Sequence, residues 1–183
     1  MLYFKTGCMN SSKTMNLIMA EYNYRERGFI TEVYRPKIAD RGEGINRITS
    51  RAGGTVLCKP IDEQFTNFNE NVDVILVDEA QFLTIEQVEK LYEISAKIPV
   101  LTYGLLTDFK RELFPGSKRL MELSDSTENF KTICQCGRKA SINGRFIDGQ
   151  LVREGNQISV EKGKVEYKSL CRFCYDKGGL KWF

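Results

Sequence analysis

Residues 7–14, GCMNSSKT, end in a lysine and a hydroxyl placed after a glycine at a spacing that could hold a polyphosphate. In the pattern G-x-x-x-x-G-K-[ST], backbone N–H groups converge on the anion. The lysine follows the outer phosphates and the hydroxyl reaches a magnesium ion. Gly7, Lys13 and Thr14 fit this pattern, and Ser12 stands where the second glycine belongs. Glycine there lets the backbone approach phosphate with no Cβ in the way. Serine fits freely if its φ is negative. If φ is positive it costs about 1 kcal/mol or more.

A polyphosphate site needs an acidic partner at the end of a buried strand. VILVDEAQF supplies two candidates, Asp78 and Glu79. Asp78 is placed to hold magnesium through water, and Glu79 points beyond the outermost phosphate. The chain has no histidine, so a proton acceptor must be a carboxylate, lysine, tyrosine or thiol, and Glu79 is the best placed. The plainer alternative is that the Asp-Glu pair merely caps a strand.

Six cysteines lie at positions 8, 58, 134, 136, 171 and 174. Cys8 and Cys58 are isolated. Cys134 and Cys136 form a C-x-C pair, and Cys171 and Cys174 a C-x-x-C pair. In a reducing compartment, paired cysteines point to metal rather than disulfide. Four thiolates suit a closed tetrahedral zinc site, which is structural. Four reduced free thiols are the alternative, and neither pair sits in a thioredoxin-like setting.

The elements that must position these groups follow from pattern. Residues 2–6, LYFKT, read as a strand running into the glycine loop, and KTMNLIMAEYNYRERG reads as a helix. In that helix Met15, Ile18, Met19 and Tyr22 fall at helical spacing, and Gly28 stops it. FITEVY is the next strand, closed by Pro36. Strand, glycine loop, helix and strand open an α/β domain with a parallel sheet. Residues 37–54 are polar, basic and glycine-rich, and read as a long functional loop. VDVILVDEAQF contains a strand buried on both faces. TIEQVEKLYEISAK is a helix started at Thr84, and PVLTYG is a further buried strand. After about residue 131 the chain becomes a small β-rich module that contains the four paired cysteines. The reading is therefore a core over 1–130 and a cysteine module over 131–183.

Bulk properties narrow the choice. A chain of 183 residues can build one full core and a small appendage. Its 42% hydrophobic and 28% charged residues are ordinary for a soluble protein. A net charge of +3 argues for no nucleic-acid partner by itself. No stretch nears the roughly 20 apolar residues that span a bilayer, and the N-terminus lacks a signal-peptide pattern. The expected location is the cytoplasm, with no membrane partner. A helicase, suggested by DEAQ, would need two such cores. A zinc-ribbon nucleic-acid binder would need a basic, aromatic-studded surface.

Taken in order, GCMNSSKT, DEAQF, GLLTDFKRELF, TICQCGRKA and YKSLCRFCY resemble the thymidine kinases of the type found in animals and many bacteria. The resemblance covers nearly the whole chain. It implies a RecA-like P-loop core with a parallel sheet, plus a small β-rich zinc domain with a lasso over the nucleoside. It implies a homotetramer, transfer of the γ-phosphoryl group of ATP to the 5′-hydroxyl of thymidine, and dTTP as a feedback inhibitor. By the same resemblance Gly7, Cys8, Met9, Asn10, Ser11, Ser12, Lys13 and Thr14 bind ATP phosphates, with Arg41, Asp78 and Gln81. Thr14 and Asp78 serve Mg²⁺, and Glu79 is the general base. Met9, Phe82, Leu105, Phe109, Phe114, Val160 and Tyr167 shape the thymidine pocket, although without the resemblance these aromatics read as core. Cys134, Cys136, Cys171 and Cys174 hold zinc. The chain departs from the family at Ser12, at Ala39 (where an aspartate aligns, with Asp40 next to it), and in the lasso segment VEKGKVEY. Those departures leave open a catalytically impaired, nucleotide-binding homologue with a non-enzymatic role.

Overall fold

The computed structural model describes residues 1–39, 46–61, 69, 71–157 and 164–179. The chain begins with β1 (Leu2–Gly7), α1 (Lys13–Glu26) and β2 (Thr31–Pro36). Three short strands follow, β3 (Arg47–Thr49), β4 (Thr55–Leu57) and β5 (Lys59–Ile61). Then come β6 (Val74–Val77), α2 (Ile85–Ser95), β7 (Val100–Gly104), α3 (Pro115–Leu123) and β8 (Ser126–Phe130). The last stretch holds β9 (Ile142–Ile147), β10 (Gln150–Val152), β11 (Val165–Leu170) and α4 (Arg172–Asp176).

Six strands form one sheet in the order β5-β2-β6-β7-β1-β8, and every neighbouring pair is parallel. Parallel strands need helical crossovers, which bury both faces and favour continuous apolar runs. In β6, Val74 and Leu76 join Leu17, Val33, Leu101 and Tyr103 on the α1 side. Ile75 and Val77 join Leu2, Phe4, Val88, Leu91 and Leu120 on the α2–α3 side. The expected α/β architecture is thus present. The C-terminal ends of β1, β2, β6 and β7 all open on one edge, where ligands bind such sheets.

Local signals explain the helix ends. Gly28 takes φ 85 just past α1, as a left-handed stop requires. Within α1 the buried positions are Leu17 and Glu21, while Met19 and Tyr22 are about half exposed. The helical spacing of methionines and tyrosine therefore marks the helix but not its buried stripe. At α2, Thr84 accepts from the Gln87 N–H, and the Gln87 side chain accepts from the Thr84 N–H, a complete capping box. The described parts of the 37–54 stretch, residues 37–39 and 46–54, hold regular structure where a long loop was expected. Lys37–Ala39 make a 3-10 turn, and β3 pairs antiparallel with β4. The strands are only three residues long, too short to show period-two alternation. Ile48 anchors them in the α1-side core.

Beyond β8, β9 lies between β10 and β11 in a three-stranded antiparallel sheet. Asp148 (φ 49) and Gly149 (φ 81) make the two-residue turn from β9 to β10, which needs two positive φ values. Phe146, Ile142, Leu170 and Tyr175 form a small core together with the buried Cys134, Cys171 and Cys174.

Removing the capping box by Thr84→Ala should cost about 1 kcal/mol of stability, with Thr84→Ser retaining most of it. Urea unfolding of the three proteins measures this. Equal midpoints would show that the box contributes nothing.

Candidate active site

The loop 8–12 leaves the end of β1 and enters α1, so its backbone N–H groups sit at the positive end of a 14-residue helix. Gly7 is required by space: a Cβ there would lie 2.5 Å from Ser11 Oγ and 2.7 Å from the Phe130 carbonyl. Asn10 (φ 59) and Ser12 (φ 61) both adopt left-handed backbone. Ser12 thus occupies the costly alternative, the conformation for which glycine is the natural residue. It is exposed, so its side chain meets no crowding.

Lys13 Nζ is held by the Gly7 carbonyl at 3.0 Å, the Cys8 carbonyl at 2.8 Å and Ser11 Oγ at 3.3 Å. Burial lowers its pKa, and the nearby Glu79 and Asp78 act in the opposite direction. Burial also pushes the Cys8 thiol up, despite Lys13 beside it.

Across from the loop, Asp78 follows β6 and accepts from Thr14 Oγ1 at 3.2 Å. A hydroxyl and a carboxylate oxygen are hard donors of the kind that magnesium takes, directly or through its bound waters. Asp78 is buried. Burial first, and the adjacent Glu79 second, push its pKa up to about 7. Glu79 itself takes φ 51, a strained backbone for a non-glycine residue. Its carboxylate accepts from Gln81 Nε2 at 2.6 Å, and Gln81 Oε1 accepts from the Leu105 N–H at 2.9 Å. The end of β7 permits this relay only because Gly104 has no side chain. A Cβ there would come within 2.8 Å of Gln81 Oε1.

These groups line one cavity of about 360 Å³. Met9, Asn10, Ser11, Ser12, Lys13, Thr14, Asp78, Glu79 and Leu105 all face it, as does Ala39 at the family's aspartate position. Gly7 and Cys8 do not line it, but their carbonyls hold Lys13. Gln81 is buried behind Glu79 rather than lining the cavity. Arg41, Asp40 and Val160 lie outside the described residues, as do residues 160–163 of the lasso segment. Sequence reasoning passed over Arg35, Ser50 and Arg51, which also line the cavity. Arg51 donates to Asn10 Oδ1 at 2.7 Å. The available signal was an arginine following two hydroxyl residues in the loop-like 37–54 stretch.

Of the aromatic residues, Phe82 and Phe114 meet edge to face at 5.7 Å, and Phe109 is buried beneath the Arg145 guanidinium at 4.0 Å. None of the three lines the cavity itself. Tyr167 lies opposite Arg145, and Ser169 opposite Asn143, across β9 and β11. Directly paired residues share a face, so these four project from the same side of the small sheet. On that side Ser169 reaches the Met9 carbonyl, and Arg145 covers Phe109.

The four sulfur atoms of Cys134, Cys136, Cys171 and Cys174 lie within 4.8 Å of one another, with Cys136 and Cys171 at 3.6 Å. Four sulfurs about 2.3 Å from a tetrahedral zinc stand about 3.8 Å apart, so the cluster fits such an ion. The C-x-C pair reaches this geometry through a tight turn, in which Gly137 (φ 82) donates to the Cys134 carbonyl at 2.8 Å. The Cys174 N–H draws Cys171 down to about 7, whereas burial pushes Cys174 up to about 12. A cation is what would let all four be thiolates together.

Comparison with known proteins decides the family. The profile described as "Thymidine kinase" matches residues 1–175. The chain belongs to the thymidine kinase family. Proteins named thymidine kinase from Haemophilus influenzae (strain ATCC 51907 / DSM 11121 / KW20 / Rd) and Pasteurella multocida (strain Pm70) are each 44% identical over 185 residues. Each alignment covers 95% of both chains. One from Agrobacterium fabrum is 41% identical, with 93% of each chain covered. The thymidine kinase family implies ATP and a divalent metal. Among the described residues no helix is long and apolar enough to cross a membrane.

The raised Asp78 pKa has a definite consequence for stability. Between 3.8, its ordinary value, and about 7 the folded protein keeps a proton that the unfolded chain has released. Stability therefore falls as pH rises through that window. In magnesium-free buffer, Asp78→Asn should flatten this slope and stabilise the protein at neutral pH. Denaturation series from pH 4 to pH 8 measure it, and an unchanged slope would mean that Asp78 is not the group responsible.

Proposed function

We propose that this chain is an ATP-dependent thymidine kinase, transferring the γ-phosphoryl group of ATP to the 5′-hydroxyl of thymidine. The observation that carries the reading is the convergence on one cavity of Lys13 and Thr14 from the phosphate loop with Asp78 and Glu79 from β6. Membership of the thymidine kinase family supplies the substrates.

In this reading the loop Gly7–Thr14 cradles the phosphates through its N–H groups, joined by Arg41. Lys13 leaves the loop carbonyls to offset charge on the outer phosphates. Thr14 and Asp78 would hold Mg²⁺, which when bound neutralises the charge that develops on the phosphate oxygens. Glu79 accepts the proton of the 5′-hydroxyl as that oxygen bonds to the γ-phosphorus. The bond from the γ-phosphorus to the bridging oxygen breaks, and ADP leaves. Gln81 supports ATP binding from behind, by fixing Glu79 against the Leu105 N–H. Thymidine lies against Met9 and Leu105, which line the cavity, with Phe82, Phe109 and Phe114 shaping that side from behind the lining and Val160 and Tyr167 supplied by a lasso. Exclusion of water there protects ATP from hydrolysis.

The module over 131–183 holds a structural zinc through Cys134, Cys136, Cys171 and Cys174, and the core spans 1–130. The family resemblance further supports a cytoplasmic homotetramer inhibited by dTTP. A second reading, a nucleotide-binding homologue without catalysis, draws on the left-handed Ser12 and on Ala39.

ATP-dependent phosphorylation of thymidine should be clear in the wild type and fall by roughly 10²–10⁴-fold in Glu79→Gln, with nucleotide binding retained. Ser12→Gly should be at least as active. Activity only in Ser12→Gly would favour the second reading, and silence in every protein would overturn catalysis. Separately, elemental analysis should find one zinc per chain, lost in Cys174→Ser together with part of the thermal stability. A metal-free wild type of unchanged stability would overturn the zinc assignment.

A further inference from the structure

We propose that Asn143 and Ser169, two side chains of the four-cysteine module, are positioning residues that clamp the phosphate loop and tie its shape to the cysteine cluster. This rests on reading residues 7–14 as the phosphate site.

The Met9 N–H donates to Asn143 Oδ1 at 2.8 Å, and the Met9 carbonyl accepts from Ser169 Oγ. Both groups of one loop residue are therefore held from outside the loop. Their two partners stand directly opposite each other across β9 and β11, so a single rung of the small sheet makes the clamp. A third bond, from Thr132 Oγ1 to the Asn10 carbonyl at 3.0 Å, secures the next residue. Asn143 uses the other end of its amide as well: Nδ2 donates to the Thr107 carbonyl at 2.9 Å, in the connection between β7 and α3. One side chain thus joins the small sheet, the phosphate loop and the β7–α3 connection.

Asn143 and Ser169 are 4% and 9% exposed. At such positions water is a poor substitute, and deleting a partner leaves a buried donor or acceptor unpaired. An apolar side chain of similar size at position 143 would fill the space but abandon both Met9 N–H and Thr107 C=O. The loop also needs restraint, because Asn10 and Ser12 lie in left-handed backbone that a free chain leaves readily.

The clamp is anchored at the cysteines. Thr132 precedes Cys134 by two residues, and Ser169 precedes Cys171 by two. The Ser141 N–H donates to the Leu170 carbonyl and the Ala140 N–H to the Thr132 carbonyl, each at 2.9 Å, lacing the two cysteine-bearing segments together. Whatever closes the cysteine cluster thereby sets the rung that holds Met9.

Hydrogen–deuterium exchange of the peptide spanning residues 7–14, with calorimetric titration of MgADP, tests this on the full chain. Asn143→Leu and Ser169→Ala should each speed exchange in that peptide and weaken MgADP roughly tenfold, while the α2 peptide exchanges as in the wild type. Ser169→Thr, which keeps the hydroxyl, should restore wild-type behaviour. Stripping metal with a chelator should loosen the same peptide in the wild type and add little in Asn143→Leu, the non-additivity expected of one coupled unit. If Asn143→Leu does not fold, Ser169→Ala against Ser169→Thr carries the test alone. Folded variants with wild-type exchange and MgADP affinity would overturn the clamp and leave the kinase reading intact. A wild type that binds no MgADP would overturn the phosphate-site reading instead.

Discussion

Parallel pairing of β1, β7 and β6, buried on both faces, is the constraint on which the site depends. A strand covered on both sides carries mostly apolar side chains along its length, so its reactive polar groups gather where it leaves the sheet. In β6 that residue is Asp78, and in β1 it is the loop after Gly7. Because all six strands run the same way, these exits share one edge. β7 separates β1 from β6 and ends in Gly104, which leaves room for Gln81 to pass behind Glu79. Without that gap, the phosphate loop and the carboxylates would face the same cavity with Glu79 unsteered.

Backbone strain is concentrated at this edge. Five non-glycine residues among those described have positive φ, and three of them, Asn10, Ser12 and Glu79, line the cavity. Each costs of order 1 kcal/mol or more, a noticeable fraction of a stability of about ten times that size in a typical domain. Buried Asp78, raised toward neutral pH, adds a further local cost. Such conflicts between local preference and global fold mark functional sites. The rest of the molecule must over-determine the geometry, and hydrogen bonds from Asn143, Ser169 and Thr132 on Met9 and Asn10, and from Gln81 on Glu79, do so.

What could be read from sequence followed the length of the pattern. β6 declared itself as an unbroken apolar run and α2 by its start signal at Thr84, because each signal is local. The sign of φ at Ser12 could not be read, since serine is compatible with both regions and only the closed loop selects one. The β3–β4 hairpin stayed hidden because three-residue strands show no period, yet it brings Ser50 and Arg51 to the cavity. Gln81 entered the site only through the family resemblance, and its hydrogen bond to Glu79 depends on a glycine 23 positions later. Asn143 carried a faint signal, an amide within a strand where such residues are disfavoured. Its partner Met9 lies 134 residues away, a separation no periodicity encodes.

Serine in the phosphate loop then has a physical account. Ser12 is solvent-exposed, so its Cβ incurs the intrinsic backbone cost alone, with no clash added. That cost is comparable to one net hydrogen bond in a folded protein, and the loop is held by several: Lys13 to two carbonyls and Ser11, and Met9 and Asn10 to outside partners. Gly7 enjoys no such latitude. Its neighbours Ser11 Oγ and the Phe130 carbonyl already occupy the space a side chain would need, and one of them is backbone of β8, paired to β1 along its whole length. The two glycine positions of the pattern therefore differ in kind. One is fixed by packing against the sheet, and the other by a dihedral preference small enough for the surrounding hydrogen bonds to override.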